Sequence, residues 1–313
     1  MKMSYVDALL SPDISWETLI EAVTIPEKLY KYQFFYSKDR KENKYWKNNM
    51  QGEFHLSLGR EFEDINDCRP YINKKDVEQY LVDFFKLMDA ENVNSISAIK
   101  QFNERFDENN IARIVQNYQS KIRIGCFTDS FENRKMWEKY SNNSTGFCIE
   151  YDIKKSELFS SSVLPVLYTT KQYNMSKNYA CSFILELCQQ AKKRSEQEQL
   201  RIYQDNFRKM IKTAYIPVFL KDRDKWLFER EYRMFILKRR KTQNGWLRME
   251  KILDKNYNID LSKAIKAIYL GENFHKNENA DELYNDILNI CNDQGNLFEI
   301  YKIDSYGIAQ RQY

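Results

Sequence analysis

Apolar residues recur at helical spacing in two parts of the chain. In residues 77–88 they fall on one face with charged residues opposite, which predicts an amphipathic helix. The same spacing continues to about residue 120 and predicts two more helices, broken near Asn109 and Asn110. Residues 177–212 contain no Gly or Pro and keep apolar residues at helical spacing, so we expect one or two helices there as well.

Between and after these helices the pattern changes to short extended runs. Runs rich in β-branched and aromatic residues, bounded by Gly, Asn, Asp or Pro, predict strands at 121–129, 145–152, 163–168, 216–220, 230–240, 264–271 and 297–303. Further helices are predicted at 134–140 and 280–292. We therefore predict an α+β fold in which residues 1–313 form a single domain. Its core would be one mixed or antiparallel sheet, with helical insertions at about 75–120 and 177–212.

Composition and charge narrow the class of protein. Hydrophobic residues make up 42% of the chain and aromatic residues 15%, with only 8 Gly and 5 Pro, which is typical of a packed globular protein. The 49 basic and 45 acidic residues are interspersed and give a net charge of +4, so no strong field would gather a polyanion. Nucleic acid is therefore not implied as a partner.

The cysteines and the first residues of the chain indicate the cellular compartment in which we expect the protein. Six cysteines occur without a C-x-x-C pair, several of them inside apolar runs, which favours reduced thiols in a reducing compartment. Acidic residues at 7, 13 and 17 interrupt the apolar stretch that a signal peptide needs, and nowhere do 18 apolar residues run together. We expect a cytoplasmic protein without membrane segments.

The most informative segment is the acid-rich strand predicted over Phe228–Ile236. Because side chains alternate across a strand, Glu229, Glu231 and Arg233 would share one face, opposite the apolar residues. Two such carboxylates lie about 7 Å apart and can act on one substrate, with Arg233 as a counter-charge or anion clamp. The alternative is a solvated sheet face with an ordinary ion pair.

Several spaced motifs resemble the bacterial domain of unknown function 2971 family. The resemblance covers residues 28–271 and departs from the family pattern at Glu63 and Ile65. The motifs are Leu29-Tyr30-Lys31-Tyr32, His55-Leu56-Ser57, Phe62-Glu63-Asp64-Ile65-Asn66-Asp67, Cys126, Met136-Trp137-Glu138-Lys139-Tyr140, Gly146-Phe147, Val166-Leu167-Tyr168 and Trp226-Leu227-Phe228-Glu229-Arg230-Glu231-Tyr232-Arg233.

The order of these motifs also resembles that of ADP-ribosyltransferases. The resemblance implies that Glu231 is the catalytic carboxylate and that Glu229 orients or activates the acceptor. It implies that NAD, as substrate, is held by residues of the early motifs, namely Tyr30, Lys31, Tyr32 and Ser57. Two aromatic residues could stack on a planar ligand, Trp137 and Tyr140, and Arg233 could bind an anionic group.

The leading hypothesis is thus an intracellular ADP-ribosyltransferase-like enzyme that transfers ADP-ribose from NAD to a protein or nucleic-acid target. A toxin or defence role, with a partner protein of a defence system, is suggested by association with similar orphan families. One alternative is a non-enzymatic sensor or interaction module. Another is a metal-dependent nuclease that uses Asp64, Asp67, Glu229 and Glu231 as oxygen ligands.

Other sites are weakly indicated. The two aspartates of the nuclease hypothesis, Asp64 and Asp67, are more typical of a loop in which Asp side chains cap backbone N–H groups. Only two histidines occur, so a histidine-rich zinc site is excluded, and no metal is predicted under the leading hypothesis. No P-loop, G-x-G-x-x-G or G-x-S-x-G motif is present.

Overall fold

A computed structural model describes most of the chain, in residues 4–11, 16–87, 95–190, 214–235, 239–242, 245–248, 258–293 and 298–312. Two compact units are formed. The first, here called the helical unit, comprises Met1–Val23, Leu58–Ile122 and Leu167–Arg223. The second, called the sheet unit, comprises Thr24–Ser57, Arg123–Val166 and Asp224–Tyr313. The single domain expected from the sequence stays a prediction.

The strands are numbered in chain order. They are β1 (Lys28–Gln33), β2 (Glu53–His55), β3 (Ser57–Leu58), β4 (Arg123–Thr128), β5 (Phe147–Asp152), β6 (Val163–Pro165), β7 (Leu167–Thr169), β8 (Leu220–Asp222), β9 (Glu231–Phe235), β10 (Arg239–Thr242), β11 (Gly245–Arg248), β12 (Asn258–Asp260), β13 (Ile265–Leu270), β14 (Glu299–Ile303) and β15 (Ala309–Arg311).

The helical unit contains the helices expected between residues 75 and 120. Its longer helices are Lys74–Leu87, Ser95–Arg105, Glu108–Gln119 and Ser176–Gln190, and its short ones are Tyr5–Leu10 and Trp16–Glu21. They enclose a core in which Phe102 stacks on Phe106 with ring centroids 4.6 Å apart.

The structure differs from one expectation about these helices and describes only part of the segment that another concerns. The break expected near Asn109 and Asn110 lies two residues earlier, because the Asp107 carboxylate accepts a hydrogen bond from the Asn110 N–H at 2.7 Å and caps the helix Glu108–Gln119. Of the insertion expected at 177–212, residues 191–212 lie outside the described part of the chain.

The strand predicted at 216–220 is wrong. Ile216–Phe219 form a 3-10 turn with Pro217 in its first positions, where the fixed φ of proline suits a helical turn. The extended chain begins only with β8, which pairs in parallel with β7.

The sheet unit is built on one large mixed sheet. In the described residues the strand order is β15-β14-β13-β5-β1-β4-β9-β6, and β3 also pairs with β4. Strands β13 and β14 run parallel, and the pairs from β13 through β6 are antiparallel. This confirms the predicted α+β class with a mixed sheet.

The two faces of this sheet differ in chemistry. One face carries Leu29, Ile149 and Ile268, which belong to the same apolar core as Ile287 of the helix Ala280–Asp293. The other face, called the polar face, carries the alternate residues of the same strands. It is covered in part by the helix Arg134–Tyr140, which was also expected.

The acid-rich segment is a strand over only part of its predicted length. Strand β9 begins at Glu231, whereas Leu227–Glu229 form a 3-10 turn and Arg230 adopts a left-handed conformation with φ 43°. Contacts with residues distant in sequence hold this turn: Asn133 Nδ2 donates to the Phe228 carbonyl at 2.5 Å, and Arg230 Nε lies 2.9 Å from Asp129 Oδ1. Ile236 lies outside the described residues.

Because the turn breaks the alternation, the predicted assignment of faces fails at its first residues. Phe228, expected among the apolar side chains opposite the carboxylates, packs with the aromatic cluster of the polar face.

Two observations bear on the expectations about compartment. The five cysteines whose side chains the structure describes, at positions 68, 126, 148, 181 and 291, are free thiols. No helix in the described residues combines the length and the apolar character needed to cross a membrane.

Gly146, at the start of β5, provides a test of the packing between β5 and β1. A Cβ atom on Gly146 would lie 2.0 Å from the carbonyl oxygen of Gln33, a backbone atom with little freedom to move. We expect Gly146→Ala to lower the free energy of unfolding by about 1–3 kcal/mol. Urea denaturation would measure the change in the free energy of unfolding. An increase would contradict the prediction, since alanine at an unhindered glycine stabilises by about 0.4–1 kcal/mol.

Candidate functional site

Four polar side chains form a row across the polar face of the sheet. The strand register places Tyr30 of β1 opposite Thr128 of β4, and Thr128 opposite Glu231 of β9. On the other side of β1, Tyr30 is opposite Glu150 of β5. We call Glu231, Thr128, Tyr30 and Glu150 the polar row. Each of the four is at most 6% exposed, so the charges of the row are held away from solvent.

At one end of the row, Glu231 is bound by Arg233 of the same strand. Arg233 Nε lies 2.8 Å from Glu231 Oε1, and Arg233 Nη2 lies 3.1 Å from Oε2, so the guanidinium contacts both carboxylate oxygens. Arg233 itself is fully buried. Its neighbour on β4 is Cys126, and burial, together with the nearby Glu231 carboxylate, raises the pKa of this thiol.

Glu229 joins the same layer although it is not part of the strand. Its Oε1 atom accepts a short hydrogen bond from the hydroxyl of Tyr140, the last residue of the helix Arg134–Tyr140. Burial, and next the Glu229 charge, raise the pKa of Tyr140, so its hydroxyl stays protonated and donates. Asn133 caps this helix, accepting from the Met136 N–H at 3.3 Å, and also binds the turn that carries Glu229.

At the other end of the row, Glu150 is surrounded by donors. Glu150 Oε2 accepts from the Tyr269 hydroxyl at 2.6 Å and from the Tyr30 hydroxyl at 3.3 Å. Lys28 Nζ lies 2.9 Å from Oε1 and Lys266 Nζ lies 3.8 Å from it. Burial and the Glu150 charge raise the pKa of both tyrosines, whereas the hydrogen bond to Glu150 raises the pKa of Lys28.

Sequence reasoning missed Glu150 and Tyr269. The signal for Glu150 was present, because it is the one charged residue within the otherwise apolar run Phe147–Tyr151. Such an acid in a strand buried on both faces needs a partner. Nothing comparable marks Tyr269, whose role depends on the pairing of β13 with β5.

Aromatic rings cover this end of the polar face. Tyr269 lies between Phe131 and Tyr301 in a stack with centroid distances of 4.3 and 5.1 Å. Trp137 meets Tyr32 edge to face at 4.9 Å, and its indole N–H donates to the Phe131 carbonyl at 2.6 Å. Two of the rings expected to contact a ligand, Tyr32 and Trp137, thus pack within the protein's own aromatic layer.

The structure gathers most of the predicted site residues on the polar face and leaves two elsewhere. Gathered there are Tyr30, Tyr32, Trp137, Tyr140, Glu229, Glu231 and Arg233. Lys31 lies on the opposite face, where its Nζ donates to the Cys126 carbonyl at 3.1 Å and contacts the Phe54 ring.

Ser57 also lies away from the row. It follows Leu56, whose carbonyl accepts from Arg123 at 3.0 Å at the start of β4. Thr128 is at the far end of that strand, which spans about 17 Å.

The carboxylates proposed as metal ligands have other contacts. Asp64 Oδ1 accepts from the Asn66 N–H at 3.0 Å, a loop-capping contact of the kind expected from the sequence. Asp67 forms a buried ion pair with Lys221 at 3.5 Å. Within the ranges that the structure describes, no three His, Cys, Asp or Glu side chains are arranged to hold a metal ion, which is the arrangement that the nuclease hypothesis needs.

Comparison with known protein families gives a match to the central part of the chain. Residues 136–234 match the model of a family described as protein of unknown function, DUF2971. This segment resembles DUF2971. The DUF2971 match contains Tyr140, Glu150, Glu229, Glu231 and Arg233, whereas the early motifs around Tyr30 and Ser57 lie outside it. No curated protein and no solved structure matches the chain. The likeness to ADP-ribosyltransferases therefore rests on motif order alone.

The ion pair between Glu231 and Arg233 can be tested by a double-mutant cycle. Removing one partner leaves a buried charge without compensation, so Glu231→Gln and Arg233→Met should each lower the free energy of unfolding by about 3–5 kcal/mol. The double variant should lose much less than the sum of the two, since neither charge remains. Urea denaturation of the four proteins would measure this coupling, and additive losses would contradict it.

Proposed function

We propose that the protein is an ADP-ribosyltransferase-like enzyme that transfers ADP-ribose from NAD to a macromolecular acceptor, with its active site on the polar face of the sheet unit. The observation that supports this most is the polar row. An enzyme of this kind needs its early aromatic motif and its late Glu-x-Glu motif on one surface. The register aligns Tyr30, Thr128 and Glu231 on three adjacent strands.

The geometry supports different roles for the two glutamates from those that the resemblance implies. Both oxygens of Glu231 are engaged by Arg233, so we assign Glu231 a positioning role. Glu229 lies in the turn just before β9 and is followed by a residue with positive φ. Strand ends and strained turns commonly carry catalytic groups, and we assign Glu229 as the carboxylate that contacts the substrate.

In the proposed reaction the bond between C1′ of the nicotinamide ribose and the nicotinamide nitrogen breaks, and its electron pair leaves with nicotinamide. The Glu229 carboxylate stabilises the positive charge that develops on the ribose. A nucleophilic atom of the acceptor then bonds to C1′ and loses its proton to a carboxylate or to solvent. In the proposed complex a ribose hydroxyl would replace the Tyr140 hydroxyl, which donates to Glu229 in this structure.

Glu229→Gln tests this proposal directly. The substitution keeps the size of the side chain and the acceptor oxygen for Tyr140 but removes the charge, so we expect NAD turnover to fall about 10²–10³-fold. The assay would follow nicotinamide release and transfer of labelled ADP-ribose to proteins or nucleic acids in a cell lysate.

Glu138→Gln is the matched control for this assay. Glu138 is on the same helix as Tyr140 but is exposed and paired only at the surface with Arg134 at 3.1 Å. Its variant should keep full activity. If the unsubstituted protein releases no nicotinamide and transfers no label, or if Glu229→Gln is as active as the unsubstituted protein, the proposal is wrong.

One observation favours a second candidate, a non-enzymatic sensor or interaction module. Glu150, Glu229 and Glu231 all have partners within the protein and are at most 5% exposed. Such pairing suits a structural layer as well as a closed active site. Under this candidate Glu229→Gln would change stability or partner binding, with no NAD turnover in either protein.

The toxin or defence role suggested by association can be tested together with this proposal. If NAD or an essential acceptor is consumed, expression in a bacterial host should arrest growth, and Glu229→Gln should relieve the arrest. Colony counts after induction would measure this, with Glu138→Gln remaining toxic as the control. Equal toxicity of the Glu229→Gln variant, expressed at the same level, would separate the growth effect from this site.

A further inference from the structure

A cavity of about 590 Å³ lies within the helical unit, beside β7 and β8. This volume is in the range of about 300–1,000 Å³ that small-molecule sites occupy. The wall combines loop residues after β7 with residues from β8 and from the loop around Arg69. None of these residues takes part in the polar face of the sheet unit.

The charged side chains of the wall are mainly cationic. Arg69, Lys171 and Lys221 line the cavity, against the single acidic residue Asp222. Lys221 is neutralised by its buried ion pair with Asp67, at 3.5 Å. Arg69 and Lys171 are exposed, and across the part of the chain that the structure describes neither side chain has an ion-pair partner. Two exposed cations without ion-pair partners therefore face one cavity against one carboxylate, and this excess of positive charge favours an anionic ligand.

The uncharged side chains supply hydrogen-bond donors and an aromatic surface. Among the described residues, the Thr170 hydroxyl and the Gln172 amide form no hydrogen bond within the protein, so both are available to a ligand. Tyr71 also lines the cavity and is 42% exposed, with its hydroxyl bound by Asn73 at 3.0 Å. A half-exposed ring of this kind can stack on a planar group.

We propose that this cavity binds a small phosphate-bearing molecule of nucleotide size. Arg69 and Lys171 contact the phosphate oxygens, for which guanidinium and ammonium groups are the usual partners in proteins. Thr170 and Gln172 donate further hydrogen bonds, and the planar ring of the ligand lies against Tyr71. Lys221 already forms a buried ion pair with Asp67, so its ammonium group is not available to the ligand.

This inference is independent of the proposed function, because the residues that carry it belong to the helical unit. Loss of NAD turnover in Glu229→Gln should leave ligand binding in the cavity unchanged. The reverse also holds, so failure of one proposal does not decide the other.

Isothermal titration calorimetry with ADP as the probe tests the inference on the full-length protein. We expect saturable binding that weakens as the salt concentration rises. Arg69→Gln and Lys171→Gln should each weaken the affinity about tenfold, since each removes a charged hydrogen bond to phosphate. Inorganic phosphate should compete with ADP, and adenosine should bind far more weakly than ADP.

Lys75→Gln is the matched control. Lys75 is an exposed lysine of the same unit, in the helix Lys74–Leu87, and does not line the cavity. Its variant should bind ADP as the unsubstituted protein does. The inference is overturned if ADP does not bind at millimolar concentration or if phosphate fails to compete. It is also overturned if adenosine binds as tightly as ADP, or if the Arg69 and Lys171 variants bind like the Lys75 variant.

Discussion

Three carboxylates buried on one face of the sheet unit impose the constraint on which the surrounding structure depends. A carboxylate removed from water needs a cation or several donors, because an unpaired buried charge costs several kcal/mol. Glu231 is paired with Arg233, Glu150 with Lys28 and two tyrosines, and Glu229 accepts a hydrogen bond from Tyr140. The helix Arg134–Tyr140, the left-handed residue Arg230 and the tyrosine-rich strands all contribute to meeting this need.

Under the proposed function, the same arrangement would give the two neighbouring glutamates different roles. The two-point contact with Arg233 fixes Glu231, whereas Glu229 is carried by a turn and bound by a hydroxyl that a substrate hydroxyl could replace. Preorganised charge in a site closed to water is worth more to a transition state than the same charge in solvent. A buried acidic layer can therefore serve both as the core of the sheet unit and as the centre of an active site.

The helical unit has a different chemistry. Its buried ion pair described above joins Lys221 to Asp67, while Arg69 and Lys171 at the cavity outnumber the single carboxylate of Asp222. An anionic ligand there and an acidic layer in the sheet unit would give the chain two sites of opposite charge. The two sites share no residues, so a substitution at one should leave the other unchanged.

The sequence by itself determined the elements whose periodicity is strong. The helices between residues 74 and 119 follow from apolar residues at helical spacing, and β4 and β5 follow from short runs of β-branched and aromatic residues. Once Tyr30 faces the row, the alternation of side chains along a strand also puts Lys31 on the opposite face. The ion pair of Glu231 and Arg233 could also be predicted from the sequence, since two residues two positions apart in a strand share a face.

Only the tertiary structure decided the rest. The turn at Leu227–Glu229 depends on Asn133 and Asp129, which are distant in sequence. Ser57 lies away from the row because strand register, unlike periodicity, is set by long-range pairing.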